Sequence, residues 1–215
     1  MNSVFLRNYS AIKPLTLVLL TLLSCGLQAN DKSKEIDVAY SRLIVALPEN
    51  SQIIASPYPE NLGTYGDGVS SQTALDPNMI GGQILLVNAP KKRNAYDAGV
   101  ILPISPAVKK GDALYLTFFA KALTPPNGQN TIRIEGVGVQ QSIEPYGSIF
   151  TNTITLNDKL QSFSFAGIAT KNYKAGELQV SFHVGTGKQE IAFGPVFIFN
   201  VGQNATVSEL PYIDQ

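Results

Sequence analysis

The chain has 215 residues, with 16 Lys plus Arg against 16 Asp plus Glu, a single His, a single Cys and no Trp. That length holds one globular domain and a targeting segment, with a core large enough for independent folding. The net charge is zero, or −2 once Arg7 and Lys13 of the N-terminal segment are set aside and 14 basic residues face 16 acidic ones; no basic surface follows, and no nucleic-acid partner is expected.

Residues 1–29 begin weakly basic, run apolar from Leu15 to Leu23 and then turn small and polar. This is the pattern of an export signal, and the apolar run is too short to span a membrane. Cleavage after Ala29 would release a soluble protein. Leu22-Leu23-Ser24-Cys25 also resembles a bacterial lipoprotein box, in which Cys25 becomes the lipidated first residue and the following Gly26 favours the outer membrane. Both routes lead out of the cytoplasm, to a secreted or periplasmic protein or to an outer-membrane lipoprotein that touches the membrane only through its lipid. A lone cysteine has no intramolecular disulfide partner, so the fold must stand on its core.

Residues 30–40 are charged and without apolar periodicity, and read as a tether. The folded domain is expected over 41–205, with a C-terminal tail over 206–215. Alternating runs follow one another between Pro and Gly signals: Ile44 to Leu47, Gln83 to Ala89, Ala98 to Ile104, Ala113 to Leu123, Thr131 to Gln140, Leu160 to Ala169, Glu177 to Gly185 and Gln189 to Val201. About eight short strands of this kind predict an all-β sandwich or barrel.

Side-chain parity assigns faces. Leu114, Leu116, Phe118 and Ala120 share one side of their strand, as do Ile132 with Ile134 and Leu178, Val180, Phe182 with Val184. The opposite side carries Tyr115, Phe119, Arg133, Glu135, Gln179, Ser181 and His183. Aromatic area beside hydrogen-bonding groups suits a sugar ring, whose C–H faces stack while its hydroxyls need donors and acceptors. A second buried layer or a solvated sheet face would carry the same residues.

At Lys109-Lys110-Gly111-Asp112, leading into Leu116 to Ala122, the chain resembles carbohydrate-binding modules of the family 4 and family 9 type, often appended to xylanases. The segments from Ala95 to Val108, Ile154 to Gly167 and Gly176 to Gly202 resemble successive parts of the same modules, in the same order. The resemblance implies a galactose-binding-like jelly-roll β-sandwich that holds a polysaccharide or oligosaccharide without catalysis, with a glycoside hydrolase as a partner. The chain departs from that pattern where tryptophans usually stand: Tyr96 and Phe119 replace two of them. Phe193-Gly194-Pro195 occupies the region of an aspartate that can serve a structural calcium, so no cofactor or metal is expected.

Remaining motifs are weaker. Gly185-Thr186-Gly187-Lys188 lacks phosphate-loop spacing and reads as a turn closing a last hairpin. His183 has neither a nucleophile nor companion metal ligands, and reads as a hydrogen-bonding group on the open face. Asp97 beside Tyr96 is the best carboxylate for a glycan hydroxyl, while Asp112 reads as a turn residue. Tyr58, Tyr65 and Tyr146 sit in Pro- and Gly-rich loops, and Tyr65 is the one expected at a ligand. The expected site is therefore Tyr65, Tyr96, Asp97, Tyr115, Phe119, Arg133, Glu135, Gln179 and His183. An envelope interaction module and a small glycan-active enzyme, which needs only two facing carboxylates, are the alternatives.

Overall fold

A computed structural model describes residues 34–203 and 205–211. The expected export signal, Cys25, Asn204 and the last four residues lie outside it. A helix over residues 34–46 (α1) comes first. The strands follow as β1 (Gln52–Ile53), β2 (Gly63–Tyr65), β3 (Ser70–Leu75), β4 (Gln83–Ala89), β5 (Gly99–Ile104), β6 (Ala113–Thr124), β7 (Ile132–Gln141), β8 (Ser148–Leu156), β9 (Gln161–Ile168), β10 (Leu178–His183) and β11 (Gln189–Gly202).

Two antiparallel sheets result. One runs β3-β4-β11-β6-β9, with β1 also on β11; the other runs β2-β5-β10-β7-β8. Most successive strands change sheet, and the expected jelly-roll sandwich is observed. The core between the sheets is the predicted apolar parity: Val100, Leu102 and Ile104 of β5 and Val180 and Phe182 of β10 meet Leu116 and Phe118 of β6 and Phe193 of β11. Phe182 is its hub, with ring centroids 4.9 Å from Phe118 and 5.0 Å from Phe193.

Four expectations fail here. Residues Ile44 to Leu47 end a helix instead of forming a strand, and the tether assigned to 30–40 is helical from residue 34. Ile36, Tyr40, Leu43, Ile44 and Leu47 recur at helical spacing and pack on the outer face of the β6/β11 sheet, a period that runs across the expected boundary at residue 40. The tail is not free either, since Leu210 is buried in the same layer and Pro211 O accepts a 2.6 Å hydrogen bond from Tyr115. Finally, Gly185 to Lys188 closes no hairpin: β10 and β11 lie in different sheets, and the loop carries the chain across the sandwich.

The Lys109–Asp112 turn behaves as expected. Asp112 Oδ2 accepts the Lys109 N–H at 2.9 Å and Asn200 Nδ2 at 2.8 Å, which fixes the entrance to β6.

Candidate functional site

Four strands of the second sheet set out the outer face in rows. Pro103, Gln179 and Gln140 are cross-strand neighbours on β5, β10 and β7; Ile101, Ser181 and Gly138 form the next row, and Gly99, His183 and Glu135 the third. β2 extends two rows with Gly63 and Tyr65. The middle row is mostly small, so the floor sinks there, and it is flanked by amides on one side and aromatic rings on the other. The result is an open groove of about 570 Å³.

Close approaches shape both walls. The Tyr65 ring crosses directly over Gly99, where any Cβ would collide with it. On β7 an extra residue forms a bulge, with Gly136 at φ 57°; the imidazole of His183 fills the space a side chain there would need. Ser181 Oγ donates to Gly136 O at 2.8 Å and fixes the bulged backbone.

Two loops add tyrosines. Tyr96, 59% exposed, stands on the short 3-10 turn Ala95–Asp97 with its ring 6.3 Å from that of His183 at 73°. The turn is stapled by Asp97 Oδ2, which accepts from Asn94 N–H at 3.1 Å and Asn94 Nδ2 at 3.2 Å. Gly185 N–H donates to Ala95 O at 3.1 Å, so the Gly185–Lys188 loop buttresses the same platform. Tyr146, 52% exposed, lies between β7 and β8 after the cis Glu144–Pro145 bond, at φ 54°. A left-handed conformation costs a non-glycine residue about 1–2 kcal/mol, and here it presents a ring to the groove.

No residue lining the groove carries a formal charge when His183 is neutral. Burial pushes the His183 pKa down against the opposing pull of Glu135. Burial, with Asp97 and Tyr146 nearby, pushes the Tyr65 phenol up. Arg133 and Glu135 pair with each other at 2.9 Å. Such a surface can stack flat apolar faces on phenol rings and meet hydroxyls with the amides of Gln140 and Gln179, which both donate and accept. Among the described residues no group of three His, Cys, Asp or Glu side chains comes together as a metal site.

Of the expected residues, Tyr65, Tyr96, Gln179 and His183 line one groove. Arg133 and Glu135 stand beside His183, engaged with each other. Asp97 caps the turn beneath Tyr96. Tyr115 and Phe119 are misplaced by the parity argument, because parity orders faces within a strand and does not say which sheet a strand joins. Both lie on the other sheet, where Tyr115 is 2% exposed beneath the layer formed with α1, and Phe119 packs beside Met79 and Ile80. Tyr146, Gln140, Ser142 and Ile101 also line the groove. Of these, only Tyr146 left a signal, as a tyrosine in a Pro–Gly loop.

No family model and no curated protein matches the chain. Solved structures do. The CBM22-1 xylan-binding domain from Paenibacillus barcinonensis Xyn10C matches at TM-score 0.51 and 14% identity, over 71% of this chain and 96% of that one. The CBM22-1–GH10 modules of Clostridium thermocellum xylanase 10B, solved with xylohexaose, match at TM-score 0.51 and 14% identity, over 72% of this chain but only 29% of theirs. A family 4 carbohydrate-binding module matches at 20% identity and TM-score 0.48, over 66% and 95%. At these identities the likeness is one of fold: the jelly-roll β-sandwich of carbohydrate-binding modules.

Proposed function

We propose that the protein binds a polysaccharide, without catalysis, in the groove on the outer face of its second sheet. One observation carries the reading: Tyr65, Tyr96 and Tyr146 surround a floor that offers amides and small residues. The neighbours that share its fold include a domain named as xylan-binding and a module solved with xylohexaose. Two carboxylates beside the groove have other work, Asp97 in a cap and Glu135 in an ion pair, and no carboxylate lines the groove itself, which favours binding over hydrolysis. Affinity is expected to be weak, since each hydroxyl contact replaces one made by water. Export through residues 1–29, lipidation at Cys25 and action beside a glycoside hydrolase belong to the same proposal.

Affinity electrophoresis in gels cast with soluble xylan, mixed-linkage β-glucan or galactomannan tests it. Retardation by one polymer, lost in Tyr96→Ala and Tyr146→Ala but kept in folded Phe119→Ala, is the expected result. Loss on Phe119→Ala alone would move the site to the other sheet, and no retardation in any gel would remove the proposal.

A further inference from the structure

We infer that the groove takes an uncharged stretch of glycan, and holds it more tightly while His183 is the neutral imidazole, so that acidification weakens its grip on the chain. This rests on the glycan-binding reading above. His183 is the only histidine of the sequence and therefore the only described side chain whose ordinary titration falls between pH 5 and 8. It stands in the groove itself, filling the space over Gly136, with the Tyr96 ring against it.

The groups facing it can be named element by element. β7 brings Glu135 and, paired to it, Arg133; the 95–97 turn brings Tyr96, with Asp97 on the same turn engaged in its cap; β2 brings Tyr65, in the same cross-strand row; β5 brings only Gly99; and Tyr146, from the loop after β7, lines the same groove. Glu135 alone favours the proton, and burial outweighs it, so the pKa falls below its ordinary value. A neutral chain lying over the ring strips away more water, and desolvation penalises the imidazolium further. Proton and glycan then compete, because linkage is reciprocal. An anionic sugar would act in the opposite sense, drawing the proton on and binding better in acid. No formally charged residue lines the groove to receive one, and Arg133 beside it is already held by Glu135.

Titration calorimetry of the protein with xylohexaose or mixed-linkage β-glucan as neutral probes and glucuronoxylan as an acidic one, from about pH 8 to about pH 5, tests the inference. Each unit by which the bound chain further lowers the pKa weakens neutral binding by up to a factor of about ten in acid. The single imidazole signal set in NMR should titrate below about 6.5 in the free protein, and lower still with probe bound. His183→Gln, which keeps a bonding amide but no titration, should flatten the pH dependence. Binding that holds constant or strengthens towards acid, in protein shown to be folded, overturns the inference and leaves glycan binding standing. A preference for the acidic polymer at neutral pH overturns its neutral-ligand half. No binding to any probe at either pH overturns both readings together.

Discussion

Two tyrosines and two glycines do most of the shaping of the groove. Tyr96 and Tyr146 are both more than half exposed although they are large and aromatic, which is the informative kind of exception on a protein surface. Truncating either to alanine is expected to weaken glycan binding about tenfold, or about 1.4 kcal/mol, with the melting temperature nearly unchanged; calorimetry and thermal unfolding read the two separately. Gly136 is a different case. At φ 57° under an imidazole, Gly136→Ala adds backbone strain of about 1–2 kcal/mol and displaces His183. Chemical denaturation should show the stability loss, and the single histidine resonance should move; an alanine variant with wild-type stability and resonance would contradict the bulge geometry. Neither glycine's role could be read in advance, since each depends on a ring arriving from a neighbouring strand.

Most elements were legible and their grouping was not. The strands from Gln83 to Ala89 and from Gln189 to Val201 stand out because they are long apolar runs flanked by partners on both edges, β11 being buried on both faces. β3, reading SSQTAL, left no signal: it is a mostly exposed edge with no apolar face to announce it. The helix α1 was hidden by its charge, although Ile36, Tyr40, Leu43 and Leu47 keep helical period. It covers Phe197 and Phe199, with Tyr40 stacked on Phe199 at 6.0 Å and 14°, and it sits across the sandwich from the groove. Ile36→Ala should therefore cost about 2 kcal/mol or more without altering glycan affinity. Equal loss of both in denaturation and calorimetry would contradict that separation. Asp97→Asn, by contrast, should affect both in the same measurements: it weakens the capping box by about 1 kcal/mol and, by loosening the turn that carries Tyr96, lowers affinity as well.

For the whole molecule, one titrating group links stability to pH near neutrality. The folded His183 pKa lies below its unfolded value, so the unfolded state takes up the proton more readily and stability rises with pH. The contribution is complete above the unfolded pKa and is lost as the pH falls through that value towards the folded one. His183→Gln should remove that part of the pH–stability curve, measured by denaturation over the same range. The jelly roll was foreshadowed by the order of loose motifs from Ala95 to Gly202, and the structural neighbours share it. The division of labour between sheets was not foreshadowed: one outer face is closed by α1 and the C-terminal segment, and the other is left open. The most direct test of the account is a backbone NMR titration of the protein with xylan and mixed-linkage glucan oligosaccharides. The account predicts shifts confined to β5, β10, the outer half of β7 and the loops of Tyr96 and Tyr146. Shifts clustered instead around Tyr115, Phe119 and α1, or none with any oligosaccharide, would contradict it.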